Sequence, residues 1–309
     1  MPEISIIIPV YNAEKYLKRC LDSVIKTLFK IKAEVLLIDN NSKDQSLKIL
    51  KDYAKKYPKL IKVLQCDTPG AAAVRNFGVK KAKGEYLWFI DADDEVVEDA
   101  ASKLLEKANS VQADLVMFGM KRIYLDGTTN YLSAVKPDEK NFKSRFIRYG
   151  MGPVQVLVKR MWWLKNEFAF LEGVIHEDME LMSSLILYTD KYEAIDEPLY
   201  LYYQNKDSVL HKTSFDAHIF DIFPALKGLY KRFQKANAVS LYHDELEWFF
   251  IWNLLIDSAG DFSKFKEGQP GFKRSRTMLK KYFPNWRRNK FLKQKPLKLR
   301  IRVLLNYYK

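Results

Sequence analysis

The sequence predicts an α/β fold whose mostly parallel sheet is covered by helices on both faces. Over the first hundred residues, short continuous apolar runs alternate with segments of helical periodicity, which is the pattern of a buried parallel sheet. The predicted strands are Ile4–Ile8, Val35–Ile38, Ile61–Gln65 and Glu85–Ile90. Ligands of such sheets bind beyond the carboxyl ends of the strands, so the residues that follow these four runs are the first candidates for a site.

Helices are predicted between the strands from apolar spacing and from capping residues. Asn12 is the expected N-cap of the first helix, and Ser42 with Gln45 forms a capping-box pattern for the second. The predicted helices cover Leu17–Leu28, the residues after Ser42, Ala71–Lys83 and Val96–Ala108.

Beyond residue 110 the alternation becomes irregular. Further strands are predicted at Leu115–Gly119, Val154–Val158 and Leu199–Tyr203, and helices at Met179–Leu187, Phe220–Phe233 and Leu241–Ile256. The segment Gly268–Gly271 has the composition of a linker. We therefore expect a sheet domain over residues 1–214 and a helical C-terminal region over residues 215–309.

The positive charge of the chain is concentrated at its C-terminus. The 14 Lys or Arg residues after Gly268 are accompanied by no Asp or Glu, and they account for the whole net charge of +14. A neutral body with a basic tail predicts an anionic partner for the tail.

Composition and hydropathy predict a globular protein of the cytoplasm. The chain is 48% hydrophobic and 29% charged, which excludes a disordered protein. Its two cysteines, Cys20 and Cys66, exclude a disulfide scaffold and a cysteine-rich zinc site. No apolar run approaches the roughly 20 residues that a membrane-spanning helix needs. No basic segment precedes the first apolar run, so a signal peptide is not expected.

The strongest candidate site is the acidic run Asp91-Ala92-Asp93-Asp94, directly after the fourth strand. Closely packed carboxylates repel one another unless a cation or solvent compensates, and hard oxygen ligands suit Mg²⁺ or Mn²⁺. The alternative is a solvated acidic turn that favours the N-terminus of the next helix. The motif alone supports the metal site and the acidic turn equally. Its position at the ligand-binding edge of the sheet favours the metal site.

Weaker candidates follow the other strands. Tyr11, two residues after Pro9, can stack on a nucleobase, although a tyrosine packed at a strand end is common. Asp39 and Asn40 suit hydrogen bonds to a base or ribose, or simply a turn. Arg75 is a potential bidentate phosphate donor, with a surface arginine as the favoured alternative. The chain has no glycine-rich phosphate loop, which argues against dinucleotide-binding and P-loop proteins.

A second acidic group lies far along the chain from the first. His176, Glu177 and Asp178 precede an apolar helix, and a carboxylate there suits removal of a proton from an attacking hydroxyl. Acidic residues that complement the dipole of this helix are the favoured alternative on the sequence alone. His211 is a potential metal ligand or diphosphate donor, though a lone histidine is usually neither.

Taken in order, these segments resemble the family 2 glycosyltransferases of the Rossmann-like GT-A fold, over roughly residues 3–210. The resemblance rests on Ile6–Asn12, Ile38–Asp44, Arg75-Asn76 with Gly84–Tyr86, Phe89–Asp94 and Glu177-Asp178. It implies an inverting enzyme that moves a sugar from a nucleotide-diphosphate sugar, usually a uridine diphosphate (UDP) sugar. The implied acceptor is a hydroxyl of a glycan or lipid-linked saccharide in cell-surface polysaccharide synthesis, and residues 1–214 become the GT-A catalytic domain.

The resemblance also implies roles for residues at the donor. Tyr11, with Pro9 before it, would stack on the base, and Arg75 would lie near the phosphates or the sugar. Asp91 would lie near the ribose and the diphosphate, and Asp93 would hold a Mn²⁺ or Mg²⁺ ion.

On the acceptor side, the resemblance makes Asp178 the catalytic base and places Glu177 against the acceptor. One displacement at the anomeric carbon then inverts its configuration. A nucleotidyltransferase is an alternative, but it would need a glycine-rich phosphate loop after the first strand, and Pro9–Lys15 contains no glycine. A non-catalytic membrane or nucleic-acid adaptor would explain the basic tail, and it would leave the two acidic groups without a purpose.

Two positions depart from the usual pattern of the family. Where Asp39-Asn40 stands, the family often has two aspartates, the second of which accepts from uracil N3–H. The Asn40 carbonyl can make the same bond, but its amide suits another base, so uridine is less certain. Gln204 replaces a frequent arginine, and His211 or Lys212 are candidates to supply the missing phosphate contact.

The basic tail, residues 272–309, interleaves cations with apolar residues. On a helix the following apolar residues would share one face: Leu297, Ile301, Leu304, Leu305 and Tyr308. Such a helix can lie on an anionic bilayer, which would place the enzyme on the inner face of the cell membrane. A helix docked on the body with a solvated basic face is equally compatible, and the alternation over 297–303 also allows a strand.

Overall fold

The computed structural model describes residues 1–134, 142–205 and 215–309, which divide into two compact units. The first unit comprises Met1–Phe142, Met151–Gly173 and Thr189–Ser208, and the second comprises Lys143–Gly150, Val174–Tyr188 and Val209–Lys309. Two short internal segments thus belong with the C-terminal helices. The division into domains at residue 214, expected from the sequence, stays a prediction.

The first unit is built on a nine-stranded sheet. Its strands are β1 (Ile4–Val10), β2 (Ala33–Asp39), β3 (Ile61–Gln65), β4 (Tyr86–Phe89), β5 (Glu95–Val96), β6 (Leu115–Ile123), β7 (Thr129–Leu132), β8 (Val156–Lys159) and β9 (Tyr192–Tyr203). Their order is β3-β2-β1-β4-β8-β6-β9-β5, with β7 paired to β6. Strands β1 to β4 are parallel, whereas β8 runs antiparallel to both β4 and β6. The predicted α/β fold is confirmed, with a parallel first half and a mixed second half.

The predicted helices occur in the structure with differences at their bounds, and further helices are present. In chain order they are α1 (Leu17–Thr27), α2 (Ser46–Lys56), α3 (Ala71–Lys81), α4 (Ala100–Val111), α5 (Phe142–Tyr149), α6 (Arg160–Lys165), α7 (Met179–Met182), α8 (Ile222–Lys235), α9 (His243–Trp252), α10 (Ser258–Lys264), α11 (Pro270–Tyr282), α12 (Lys290–Lys293) and α13 (Leu297–Tyr308). Helix α4 begins later than predicted because Glu95 and Val96 pair with β9. The helix predicted at 179–187 is split into α7 and a 3-10 turn.

The central strands of the first unit are buried on both faces. Ile6 and Ile8 point into one apolar layer, while Phe89 lies on the other face, 5.7 Å from the Trp163 ring. Helix α3 packs so closely on β1 that a Cβ atom at Gly78 would collide with the Ile7 side chain. This close packing fixes the position of α3 and of the polar residues it carries.

The second unit is helical. Pro270 is the first residue of α11, and Gly271 packs against Phe262. The prediction of a linker at residues 268–271 is therefore wrong. The tail forms α11, α12 and α13, which rules out a strand at 297–303. Within the part of the chain that the structure describes, no helix has the length and apolarity that crossing a bilayer requires.

Candidate active site

Four loops follow the parallel strands and meet at one edge of the sheet. Val10 at the end of β1 lies opposite Asp39 at the end of β2, which in turn lies opposite Gln65 at the end of β3. Strand β4 ends on the other side of β1, with Phe89 opposite Ile7. The candidate residues predicted after these four strands therefore share the carboxyl edge.

The loops after β1 and β2 are tied together by reciprocal hydrogen bonds. The Asn12 N–H donates to Ser42 Oγ at 3.2 Å, and Asn12 Oδ1 accepts from the Lys43 N–H at 2.7 Å. Glu14 Oε2 accepts from the Gln45 N–H at 2.7 Å. The predicted capping roles of Asn12 and of Ser42 with Gln45 are wrong, because α1 and α2 begin further along the chain. These polar residues brace one loop against the other instead.

The first of these loops presents an aromatic ring. Tyr11 is 62% exposed, and Pro9 is half-buried in β1 opposite Ile38. Asn12 has a left-handed φ of 49°, so the chain turns directly after the tyrosine. An exposed ring on a braced loop suits stacking on a flat ligand.

Asp39 and Asn40 are both buried at the end of β2. The Asn40 amide donates to the carbonyls of Cys66 at 2.6 Å and Thr68 at 2.9 Å, and Asn40 Oδ1 accepts from the Gly70 N–H at 2.9 Å. Both amide hydrogens are used within the protein, and they fix the loop between β3 and α3. Asp39 Oδ1 is buried and has no hydrogen-bond partner among the described residues, so it is an unused acceptor at the carboxyl edge.

Arg75 and Asp91 form an ion pair at the same edge. Arg75 Nη2 lies 2.8 Å from Asp91 Oδ1, and its guanidinium lies 5.5 Å from the Phe170 ring. Arg75 is buried, so the alternative of a surface arginine is wrong. The Asp91 side chain stays 34% exposed, so its carboxylate can contact a ligand while the buried Arg75 holds it in place.

Asp93 is held by contacts on two sides. Its Oδ2 accepts from Asn205 Nδ2 at 2.8 Å, and its backbone carbonyl accepts from Arg19 Nη2 at 2.6 Å. Arg19 is itself fixed, because its guanidinium lies 3.7 Å from the centre of the Tyr203 ring and pairs with Glu95 at 3.0 Å. The acidic loop is therefore anchored to α1 and to the end of β9.

Asp94 is separated from the other two carboxylates. It is fully buried, where it accepts from the Tyr200 hydroxyl at 2.7 Å and from the Tyr203 N–H at 2.8 Å. The Tyr200 hydroxyl in turn accepts from the Asp91 N–H at 3.1 Å. Asp94 thus fixes the loop to β9, and it leaves Asp91 and Asp93 as the half-exposed pair.

The electrostatics of this loop suit a divalent cation. Burial raises the pKa of Asp94 to about 8, with further contributions from Asp91 and Asp93. Burial and then the charge of Asp91 also raise the pKa of Asp93, against the hydrogen bond from Asn205. A cation would relieve this repulsion, and carboxylate oxygens are the ligands that Mg²⁺ and Mn²⁺ prefer. The half-exposed Asp91 and Asp93 therefore fit such an ion.

Asn76 makes a contact that sequence analysis did not anticipate. Its Nδ2 donates to the Phe170 carbonyl at 3.0 Å, and its Oδ1 accepts from the Phe170 N–H at 2.9 Å, so the side chain pairs with the backbone as a strand would. Nδ2 also lies 2.9 Å from Glu172 Oε1. The segment after α6 is thereby fixed to α3, next to Arg75. No local signal predicts this partner, because it is 94 residues away along the chain.

Glu177 and Asp178 lie in the second unit, and both are half-buried. Asp178 precedes α7, but its side chain makes no capping hydrogen bond. Helix α7 is a single turn, so it offers only a weak dipole, and the helix-dipole explanation of these acidic residues loses support. Burial lowers the pKa of His176, although Glu177 and Asp221 oppose that shift.

The remaining candidates are Gln204, His211 and Lys212. The Gln204 N–H donates to the Ile123 carbonyl at 2.9 Å and so extends the pairing of β9 with β6. His211 and Lys212 lie outside the described residues.

A different set of possible metal ligands occurs in the second unit. Among the described residues, His243, Asp244 and Glu247 bring ligand atoms within 4.8 Å of one another. Lys290 Nζ lies 3.2 Å from Asp244 Oδ2, so a lysine already supplies the positive charge there. This set does not suit a metal site.

Comparisons with known proteins agree with the geometry of the first unit. Residues 5–169 match the family described as Glycosyl transferase family 2. The chain is 30% identical to the uncharacterized glycosyltransferase EpsJ of Bacillus subtilis over 255 residues, which cover 77% of this chain and 72% of EpsJ. It is 26% identical to the poly(ribitol-phosphate) beta-N-acetylglucosaminyltransferase TarS of Staphylococcus aureus, over 80% of this chain and 43% of TarS.

Solved structures share the fold. The crystal structure of S. aureus TarS 1-349 in complex with UDP superposes with a TM-score of 0.77 at 23% identity, covering 99% of this chain and 89% of that one. The mannosyltransferase PcManGT from Pyrobaculum calidifontis, in complex with GDP-Man and Mn²⁺, gives a TM-score of 0.52 at 16% identity, covering 99% and 87%. The GT-A fold implied by the sequence resemblance is confirmed.

Proposed function

This chain belongs to glycosyl transferase family 2, and from that premise we propose that it is an inverting, metal-dependent glycosyltransferase that uses a UDP-sugar. The proposed acceptor is a hydroxyl of a cell-surface glycan or of a lipid-linked saccharide. The observation that carries the proposal is the placement of Arg75, Asp91 and Asp93 beyond the parallel strands, where α/β sheets bind ligands. TarS, which crystallised with UDP and is named for a poly(ribitol-phosphate) acceptor, supports both the donor and the acceptor class.

The donor would bind along the loops after β1, β2 and β4. Tyr11, preceded by Pro9, stacks on the base, and the unsatisfied oxygen of Asp39 accepts a hydrogen bond from the nucleoside. Asn40 acts by ordering the loop between β3 and α3, because its amide hydrogens are already used. Arg75 contacts the phosphates or the sugar while it holds Asp91 beside the ribose and diphosphate.

Asp93, with Asp91 beside it, would hold Mn²⁺ or Mg²⁺, and His211 is a further candidate ligand. When bound, the ion neutralises negative charge that builds on the departing diphosphate. The protein's own contribution is to fix Asp93, through Asn205 at its side chain and Arg19 at its backbone carbonyl.

Asp178 is the proposed base and Glu177 the proposed acceptor contact. The acceptor oxygen forms a bond to the anomeric carbon from the face opposite the diphosphate, and the bond from that carbon to the diphosphate oxygen breaks. Asp178 takes the proton of the acceptor hydroxyl. A single displacement inverts the configuration and needs no covalent sugar–enzyme intermediate.

We further propose that residues 1–214 form the catalytic domain and that the helical residues 215–309 bring it to its acceptor. A lipid-linked saccharide lies at a membrane, so an enzyme that acts on it needs a means of reaching that surface. The basic, amphipathic tail supplies that means, at the inner face of the cell membrane.

The test is a panel of nucleotide sugars incubated with the full chain and Mn²⁺, with release of the nucleoside diphosphate as the readout. We expect turnover of a UDP-sugar, loss of that turnover with a chelator, and inversion at the anomeric carbon of the product. Turnover that a chelator leaves unchanged would contradict the role of the metal, and no turnover of any nucleotide sugar would contradict the function.

The role of the base is tested separately. Asp178→Asn is expected to lower kcat at least ~100-fold while UDP binding stays within about twofold, because the base acts only in the chemical step. Asp52→Asn, an exposed aspartate on α2, is the matched control and should leave kcat unchanged. Retained turnover in Asp178→Asn would remove this residue from the role of base.

A further inference from the structure

The last helix of the chain presents an apolar face to solvent. On α13, Leu297, Leu305 and Tyr308 are 67%, 61% and 69% exposed. Ile301 and Leu304 are also exposed, and the helical repeat places all five side chains within one sector of about 100°. We call these five residues the apolar face of α13. A continuous patch of exposed apolar residues marks an interaction site more often than scattered single residues do.

The same helix is fixed to the second unit through its opposite side. Val303 and Tyr307 are buried, and the Tyr307 ring lies 5.0 Å from the Trp286 ring. Asn306 Nδ2 donates to the Leu255 carbonyl at 2.9 Å, and a second hydrogen bond, from Arg276 Nη1, reaches the Tyr307 carbonyl at 2.9 Å. The helix is therefore docked, yet it docks without covering its apolar face.

Positive charge borders the apolar face. By the helical repeat, Lys298, Arg302 and Lys309 lie along one side of it and Arg300 lies along the other. Arg287 reaches its end, where Nη2 donates to the Tyr308 hydroxyl at 2.9 Å. The borders carry no acidic residue, since none occurs after Gly268.

Within the part of the chain that the structure describes, most of this charge has no carboxylate partner. Among the described residues, Lys290 is the one cation after Gly268 that forms an ion pair with a carboxylate, through Asp244 and Glu245. The other basic side chains of the segment are left to attract an external anion.

We propose that the apolar face of α13 and its basic borders form a docking surface for an anionic lipid bilayer. The helix lies in the plane of the interface, its aliphatic and tyrosine side chains enter the boundary of the acyl chains, and the lysines and arginines meet the lipid headgroups. The physiological purpose rests on the proposed function, because a lipid-linked acceptor lies at such a surface.

A second copy of the chain is the competing occupant, and the charges oppose it. If two copies paired through this face, the cations on its borders would be brought together without an acidic partner, which is unfavourable. An anionic surface satisfies both the apolar face and its borders.

The first test is co-sedimentation of the full chain with vesicles of phosphatidylcholine alone or with one-third phosphatidylglycerol. We expect binding only to the anionic vesicles, and weaker binding at high salt. The double variant Ile301→Glu/Leu305→Glu should lower the partition coefficient at least ~50-fold, since it removes two inserting side chains and adds negative charge. Leu125→Glu is the matched control at a leucine that is 54% exposed beside Asp126, and it should bind as the wild type does.

A second test reports insertion directly. Both natural cysteines are buried, so Leu305→Cys and Leu125→Cys can each be labelled with an environment-sensitive fluorophore at a single exposed site. The label at position 305 should shift to the blue on anionic vesicles, and the label at position 125 should not. Equal binding by the wild type and the double variant, or no shift at position 305, would overturn the proposal. So would a wild-type dimer that the double variant dissociates, without vesicle binding by either.

Neither measurement requires turnover, so the docking surface and the proposed enzymatic activity can fail independently. Because α13 carries no proposed site residue, the double variant should keep the wild-type rate of nucleotide-sugar hydrolysis in solution. A double variant that keeps this rate and loses vesicle binding would support the docking surface as a separate property.

Discussion

The carboxylates at the two ends of the parallel strands have pKa values that are shifted in opposite directions. At the amino end, Glu34 accepts hydrogen bonds from Ser5 Oγ at 2.7 Å, from Lys62 Nζ at 2.8 Å and from the Lys83 N–H at 2.6 Å. Burial favours a high pKa there, but these donors outweigh it and hold the pKa of Glu34 below its usual value. At the carboxyl end, burial and neighbouring carboxylates raise the pKa values of Asp93 and Asp94.

The opposite pKa shifts distinguish a carboxylate that stabilises the fold from carboxylates that are suited to bind a cation. Glu34 is surrounded by protein donors, so its charge stabilises the fold by itself. The Asp93 side chain is half-buried beside Asp91, so a cation from outside the protein would favour its ionised form. The same chemical group thus serves folding at one end of the sheet and, in our proposal, binding at the other.

The largest expected effect comes from removing a charge at the carboxyl end. If Asp93 is the main ligand of the ion, as proposed, Asp93→Asn should lower Mn²⁺-dependent turnover at least ~1000-fold, or about 4 kcal/mol in activation free energy. The melting temperature without metal should not fall, since repulsion is relieved. Steady-state kinetics and thermal unfolding measure the two effects, and turnover within tenfold of the wild type would show that Asp93 is not the ligand.

The corresponding change at the amino end should affect stability and spare activity. Glu34→Gln removes a charge that several donors share, and it should cost about 2 kcal/mol of unfolding free energy. Urea unfolding gives this value, and kcat should stay within about twofold. Glu106→Gln, at an exposed glutamate of α4, is the control and should change stability by less than about 0.5 kcal/mol. An activity loss in Glu34→Gln without a stability loss would contradict the separation of the two ends.

A smaller effect is expected at Asn40, which lies at the carboxyl end and yet makes only protein contacts. Asn40→Ala frees the loop at residues 66–70, and we expect KM for the donor to rise ~10-fold with little change in kcat, because loop order is lost before chemistry begins. Asn109→Ala, on the exposed side of α4, should leave KM unchanged. A fall in kcat with an unaltered KM would point to a direct role in the reaction.

The smallest effect is a pH dependence that belongs to the amino end. Since the pKa of Glu34 is lower in the folded chain than in the unfolded chain, its stabilisation is complete above the unfolded value and is lost as pH falls through the folded value. The difference in unfolding free energy between the wild type and Glu34→Gln should therefore be constant near neutral pH and narrow below about pH 4. Unfolding curves at several pH values give this difference, and a gap that widens on acidification would contradict the assigned shift.

The sequence predicted β1, β2 and β4 well, because each is a short apolar run that is buried on both faces. The sequence predicted the helix caps wrongly, because Asn12 and Ser42 are residue types that often cap helices. In the structure, each of the two instead forms hydrogen bonds with the loop that carries the other. A pattern confined to one segment does not reveal a hydrogen bond to another segment, and the same reason hid the pairing of Asn76 with Phe170.

The acidic run was recognised as a unit, but the sequence did not distinguish its members. Asp94 is buried by contacts with the tyrosines of β9, which lie more than a hundred residues away along the chain. For the tail, helical periodicity identified the face formed by Leu297, Leu305 and Tyr308, and it could not say whether that face was covered. The roles of Glu177 and Asp178 stay predictions.

The braced loops after β1 and β2 have a consequence for altering donor preference by mutagenesis. Because Asn12 and Glu14 share hydrogen bonds with Ser42 and Gln45, an insertion or deletion in either loop disturbs both. The loop at residues 66–70 is held through its backbone, by the Asn40 side chain and by the Asp39 carbonyl, so its side chains can change without breaking the hydrogen bonds between the other two loops. Libraries that seek a new nucleotide sugar should therefore diversify residues 67–69 first.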